Sequence, residues 1–278
     1  MTQHSAHCVK PLTVFVEGIG LLGPGLSSWA LGRQCLDASL PYQARRCLLP
    51  LPMDLPPAER RRAGAVVKVS LAVGQEAVAA SGLQANALRS VFTSSSGDAV
   101  NCHEICSALA TGDRLISPTR FHNSVHNAAS GYWSICSGAM ASSSVLCARD
   151  ASFSAGLLEA MTQVVFENAA VLLVAYDTDY PEPLLSVRPV PDTFGVALVL
   201  APQRSDRSQA QWTLSPSACL TAAPADCMDD RAFEQVRKGI PAARCLPLIR
   251  SVAMEGAGTV VLDYLEDQQL SVQVSPCR

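Results

Sequence analysis

An α/β fold, one sheet dressed with helices and followed by a small α+β extension, is predicted by three features of the sequence. Strand-like and helix-like segments alternate over roughly the first 200 residues. Two runs, 170–177 (A-V-L-L-V-A-Y-D) and 194–201 (F-G-V-A-L-V-L-A), are apolar throughout, the pattern of strands buried on both faces. A polar stretch at 203–210 (Q-R-S-D-R-S-Q-A) then changes the character of the chain, which divides it into residues 1–202 and an extension, 203–278, packed on the same domain. The 278 residues are 49% hydrophobic and 16% charged, enough for a substantial core and unlike a disordered chain.

The elements follow in order. Leu12–Gly18 reads as a first strand that runs into the glycine-rich Gly18-Ile19-Gly20-Leu21-Leu22-Gly23. A helix is predicted from Ser27, capped by its hydroxyl, to about Asp37. Five prolines between residues 40 and 57 exclude long regular structure there. Strong helix formers from Ala58 to about Ser81 predict one helix stopped by Gly82. A second strand is expected at 89–95 and a helix from Ala99 to Leu109, with Asp98 as its cap. In the extension, strands are expected near 211–215, 258–264 and 269–274, and helices near 229–238 and 246–254.

Charge and composition narrow the function. A net charge of −3 gives no general attraction for nucleic acid or an anionic membrane, and Arg60-Arg61-Arg62 reads as a solvated helix face. Eleven scattered cysteines, an odd number without any C-x-x-C, read as free, mostly buried thiols of a reducing cytoplasm. Residues 1–10 are polar, without the apolar core of a signal peptide, and no apolar run approaches the ~20 residues of a membrane span. A cytoplasmic protein is therefore expected, with no nucleic-acid or membrane partner.

Several motifs invite chemistry, and each has a plainer reading. Gly18-x-Gly20-x-x-Gly23 matches the dinucleotide fingerprint after a strand, but Pro24 and Gly25 delay the helix that would cradle a pyrophosphate. No cofactor is expected. His122 and His126, four apart, would share one face of a helix, a metal-ligand spacing that lacks a third ligand. Cys102 and Cys106 are a similar pair; packed side chains and buried thiols are the favoured reading of both, and no metal is expected. There is no G-x-S-x-G elbow to support an α/β-hydrolase.

One stretch carries more. Residues 117–161 contain S-P-T-R-F-H-N-S-V-H-N-A-A-S-G-Y-W and then S-S-S-V-L-C-A-R-D-A-S-F-S-A-G-L-L-E-A-M. With V-E-G-I-G near the start and R-P-V-P-D followed by F-G-V-A-L-V-L at 188–200, it resembles the N-terminal half of β-ketoacyl synthases of the thiolase superfamily. The chain is still more similar to the shorter chain-length-factor proteins of aryl polyene and type II polyketide clusters. It shares with them F-H-N-S-V-H-N-A-A-S-G-Y-W, the P-x-x-L-P-P-x-E-R-R-R stretch at 52–62 and I-P-A-A-R-C-L-P-L at 240–248.

The resemblance implies a truncated thiolase-like half: a mixed, mostly parallel five-stranded sheet between helices. It places Asp150 where a synthase carries its nucleophilic cysteine, with Cys147 buried three residues earlier in the strand. A synthase draws its catalytic histidines from its second half, whereas all five histidines here precede residue 127. The resemblance therefore implies a non-catalytic subunit that forms a heterodimer with an active ketosynthase, meets acyl carrier protein through that complex, and serves polyketide, aryl polyene or fatty-acid-like chain elongation. Dimers of the superfamily pair equivalent strands antiparallel, here residues 142–148. Phe121, His122, Asn123, Val125, His126, Ser143, Val145 and Cys147 are then the residues expected at the partner interface and acyl tunnel. Two alternatives stay open: an acyl-transferring or condensing enzyme using Cys147 with His122 or His126 as base, and a homodimeric module that binds acyl carrier protein.

Overall fold

The computed structural model describes residues 10–215 and 219–277; the polar N-terminal stretch with His4, His7 and Cys8 lies outside them. In chain order the elements begin with β1 (Leu12–Leu22), α1 (Trp29–Leu36), α2 (Pro57–Arg62), α3 (Ala65–Ser81), β2 (Arg89–Thr93) and α4 (Ala99–Ala110). Then come α5 (Pro118–His122), α6 (Ala128–Ser137), β3 (Ser143–Leu146), α7 (Ser152–Glu167), β4 (Val171–Asp177), α8 (Leu184–Val187) and β5 (Phe194–Ala201). The extension supplies β6 (Ala210–Leu214), β7 (Leu220–Thr221), α9 (Arg231–Gly239), α10 (Leu246–Ala253), β8 (Gly258–Leu262) and β9 (Gln269–Pro276).

All nine strands among the described residues join one sheet, ordered β3-β2-β4-β5-β1-β6-β9-β7, with β8 also on β9. The sheet is mixed, as expected, but parallel pairing is not its majority. Only β2/β3 and β2/β4 run parallel, while β4/β5 and β1/β5 are antiparallel. The connection from β4 to β5 carries only the four-residue α8 instead of a crossover helix, so β5 returns antiparallel. The extension continues the sheet through β6, antiparallel to β1 from Leu12↔Leu214 to Val16↔Ala210.

Apolar side chains fill both faces of the sheet. One core packs α1, α7, α9 and α10 against it, and the other packs α3 and α6. Every residue of β4 and β5 is buried, which accounts for their unbroken apolar sequences.

The glycine motif of β1 serves packing. A Cβ on Gly18 would stand 2.1 Å from the Ala77 carbonyl oxygen, and one on Gly20 would stand 2.0 Å from that of Val73. The backbone of α3 therefore lies directly on the strand at two points one helical turn apart. From the same helix Glu76 accepts hydrogen bonds from the amides of Leu21 (2.9 Å) and Trp29 (2.7 Å), tying the end of β1 to the first residue of α1.

Three local expectations shift. The cap of α1 is Ser28 rather than Ser27, its Oγ accepting from the Leu31 amide at 3.3 Å. The helix expected over 58–81 is two helices, because Ala63 and Gly64 are extended between α2 and α3. It does stop at Gly82, whose φ of 69° suits a residue without Cβ. The cluster Arg60-Arg61-Arg62 is not wholly a solvated face, since Arg60 donates to the carbonyls of Met53 and Leu55.

Gly20→Ala should destabilise the chain by about 3 kcal/mol, because the added methyl meets backbone that cannot move without lifting α3. Gly112→Ala, where nothing lies within 4 Å of the new atom, should change stability by less than about 0.5 kcal/mol. Urea unfolding of the two variants checks the difference.

Candidate functional site

The C-terminal ends of β2, β3 and β4, where α/β sheets commonly place their sites, bring together the loops 94–97, 147–151 and 177–180. Asp177 holds them. It is buried, and its carboxylate accepts from the Ser95 amide at 2.8 Å, the Ser94 hydroxyl at 3.2 Å and the Ala242 amide at 2.8 Å. The Ala242 amide belongs to the 3-10 turn Pro241–Cys245, inside the I-P-A-A-R motif, so one carboxylate ties the β2 loop to the extension. Burial, opposed by these hydrogen bonds, pushes its pKa up to about 6. Tyr180 closes the loop, its hydroxyl donating to Ser96 at 2.6 Å.

The elbow between β3 and α7 contains Asp150, in a 3-10 turn (Arg149–Ala151) immediately ahead of the helix. Its carboxylate is bound by Arg188 at 2.7 Å and Arg244 at 3.3 Å. Arg244 continues to Asp263 at 3.3 Å, Asp263 to Arg237 at 2.7 Å, and Arg237 to Glu234 at 2.8 Å. The hydrogen bonds from Arg237 hold the Glu234 carboxyl down at about 2. The first turn of α7, where a helix N-terminus would activate a nucleophile, is occupied by Ser152, Phe153 and Ser154, all buried. Residues 148–154 are Ala, Arg, Asp, Ala, Ser, Phe and Ser.

Cys147 departs from expectation. Its thiol is exposed rather than buried, donating to the Ser95 carbonyl at 3.1 Å. The reason is position: β3 ends at Leu146 and is the outermost strand, so no neighbour covers the residue after it.

The expected interface residues fall into two groups. Ser143 and Val145 lie on β3, which among the described residues pairs only with β2 and so leaves its other edge free. Phe121 (67% exposed), His122, Val125 and His126 stand out from the α5–α6 segment. His122 and His126 do not share a helix face, because α5 stops at His122 and α6 starts at Ala128. His122 borders a hollow of about 240 Å³ with Val125, Tyr132 and Ile135, and the ring of His126 lies against the Gly97 turn. Asn123 instead faces inward. It donates to the Arg62 carbonyl at 2.9 Å and accepts from the Tyr132 hydroxyl at 3.2 Å, fastening the segment to the end of α2.

Before this segment, α4 buries only Ala99 and Asn101, the first of these beside its cap Asp98, which accepts from the Asn101 amide at 2.9 Å. Cys102, Cys106, Val100 and Leu109 are exposed along it, followed by Leu115 and Phe121. The pair Cys102 and Cys106 is thus not buried as expected, because little of the chain packs over α4. Exposed apolar residues in this density mark a surface for association.

Of the residues around Asp150, sequence reasoning did not foresee Arg188, Arg244, Arg237, Asp263 and Glu234. A signal existed: Arg188 opens R-P-V-P-D and Arg244 closes I-P-A-A-R, two of the motifs that carry the family resemblance.

The architecture is thus a mixed sheet between helices, with a strand-turn-helix elbow at its outer edge. The chain belongs to the family of the β-ketoacyl synthase N-terminal domain, whose model matches residues 38–247. No curated protein matches the sequence. Solved structures share the fold. The complex of the ketosynthase ApeO with its chain length factor ApeC from Xenorhabdus doucetiae matches with a TM-score of 0.70 and 22% identity, over 94% of this chain and 99% of that one. The ishigamide ketosynthase/chain length factor matches with a TM-score of 0.70 and 11% identity, over 96% and 100%. AntDE:AntF, a type II polyketide synthase acyl carrier protein in complex with its ketosynthase, gives 0.72 and 13%, over 95% and 99%. Among the described residues no helix is long and apolar enough to cross a membrane.

The raised pKa of Asp177 has a defined sign. The folded chain binds this proton more tightly than the unfolded one, so the contribution to stability is fully present below the ordinary carboxyl pKa near 4. It is lost as pH rises through about 6, a change of about 3 kcal/mol. Asp177→Asn should flatten the stability profile between pH 4 and 7 by that amount relative to wild type; denaturant titrations at a series of pH values check it.

Proposed function

We propose that the chain is a non-catalytic, ketosynthase-like subunit of the chain-length-factor kind. It pairs with an active β-ketoacyl-ACP synthase and shapes the acyl tunnel of that partner during polyketide, aryl polyene or fatty-acid-like elongation. The observation that carries this reading is the elbow. Decarboxylative condensation needs a thiolate to carry the acyl chain, and residues 148–154 contain no cysteine while the Asp150 carboxylate is held between Arg188 and Arg244. A carboxylate already engaged by two guanidinium groups is a structural ion pair. In the synthases that the sequence resembles, the two histidines of such a reaction come from the second half of the fold, whereas all five histidines here precede residue 127.

The same face that lacks chemistry is built for association. The free edge of β3 offers unpaired backbone groups, and the α4–α5 arm offers apolar side chains that its own chain does not cover. A permanent interface of this kind buries on the order of 2,000 Å² or more. Phe121, His122, Val125 and His126 would reach the partner's tunnel, with Asn123 fixing the segment from behind. Acyl carrier protein would meet the chain through the complex, as one of the structural neighbours meets its own ketosynthase.

A second reading has one observation in its favour. The Cys147 thiol is exposed, and it borders the same 94–97 loop that His126 packs against, an arrangement that an acyl-transferring enzyme would use.

Co-expression with a ketosynthase followed by size-exclusion chromatography should give one co-eluting heterodimer. After incubation with acyl-carrier-protein thioester, intact mass should place the acyl group on the ketosynthase and none on this chain. Separate elution counts against the pairing, and acylation of Cys147 would establish the second reading instead.

A further inference from the structure

Among the described cysteines, Cys102, Cys106, Cys147 and Cys227 are exposed, and the first two stand on one helix. Four residues apart on α4, they share a face one turn apart, with Cα atoms about 6 Å from each other. A disulfide spans Cα separations of about 4.4–6.8 Å, so the pair is within bridging range. The two thiols already meet. Partial burial first, then the charge of Cys106 and a hydrogen bond with its thiol, hold the Cys102 thiol above its ordinary pKa. The Cβ atoms are the obstacle to a bridge. On a regular helix they lie about 5–6 Å apart at this spacing, whereas a disulfide draws them to about 3.5–4.5 Å. Closure must therefore deform the turn between residues 102 and 106.

This helix is able to yield. Its two buried residues, Ala99 and Asn101, lie in the first turn, where the Asp98 cap and a bond from the Asn101 side chain to the Arg120 carbonyl (2.8 Å) hold the backbone. Beyond Asn101 no residue of α4 is buried, and its tie to α5 there is the half-exposed pair Glu104 and Arg120 at 3.5 Å. The geometry points to a redox-sensing dithiol: Cys102 and Cys106 close into a disulfide within α4, and closure unwinds the helix beyond its first turn. The oxidant is a low-molecular-weight disulfide. One cysteine thiolate attacks it and expels a thiolate; the other then attacks the mixed disulfide and expels the second. The pair loses two electrons and two protons, and the oxidant leaves as two thiols. Unwinding disperses the apolar surface that Val100 and Leu109 give to this helix. That this surface receives a ketosynthase rests on the proposed function.

Trypsin releases residues 90–114, which contain both cysteines and no other. After the full-length chain is incubated with glutathione disulfide and its remaining thiols are alkylated, this peptide should carry no alkyl group and be lighter by two hydrogens than its dithiol form. Hydrogen exchange of amides 102–110 should become about tenfold faster or more in the oxidised chain and recover on reduction with dithiothreitol. In Cys102→Ser/Cys106→Ser the exchange should not respond to the oxidant. Two alkylated thiols, or separate glutathione adducts, in the 90–114 peptide overturn the inference, as does a disulfide-bonded chain whose α4 exchange is unchanged. Either result would leave the proposed function standing. A ketosynthase that binds neither the reduced nor the oxidised chain, with the disulfide and the faster exchange both found, would support the inference and count against the proposed function.

Discussion

Contact between α3 and β1 sets the frame on which everything else is hung. Two backbone segments approach so closely at Gly18 and Gly20 that no side chain fits between them. Glu76, next to Ala77 on the same helix, then fixes both the end of β1 and the start of α1. β1 is also the strand that joins the two parts of the sheet, bonded to β5 on one side and to β6 of the extension on the other. Its position therefore determines where β4, β2 and finally β3 lie, and with them the elbow and the outer edge. A dinucleotide motif by its letters, the glycine run is an adaptation to helix packing.

The elbow is held together by charge. Asp150, Arg188, Arg244, Asp263, Arg237 and Glu234 form a chain of ion pairs that begins at the turn before α7 and ends on α9. Asp177 adds a second link between the strand ends and the Pro241–Cys245 turn. The partly exposed pairs at the Asp150 end contribute modestly one by one, and together they set two guanidinium groups on the Asp150 carboxylate. Together the two links anchor the C-terminal extension to the strand ends.

Much of the fold was legible because its signals are local. The unbroken apolar runs of β4 and β5, the proline-rich span before α2, the stop at Gly82 and the alternating elements of the extension all follow from neighbouring residues. What escaped depends on distant partners or on strand direction. The ion-pair partners of Asp150 lie 38 and 94 residues away. Burial of Cys147 was misjudged because sequence does not say that β3 is outermost and stops at Leu146. The spacing of His122 and His126 suggested one helix face, yet Asn123 leaves the helix to bond the Arg62 carbonyl, and the turn that follows separates the two rings. Antiparallel return of β5 likewise depends on a short connection that apolar periodicity does not reveal.

If this chain sets product length from a neighbour's tunnel without carrying an acyl chain, its exposed side chains should be felt in the products. The direct measurement is the mass distribution of chains made by an active ketosynthase reconstituted with wild-type protein or with Phe121→Ala. Loss of the ring should deepen the tunnel and move the distribution toward longer chains, with the heterodimer intact. An unchanged distribution from an intact heterodimer, or chain elongation by this protein without a ketosynthase, would contradict the role assigned to it.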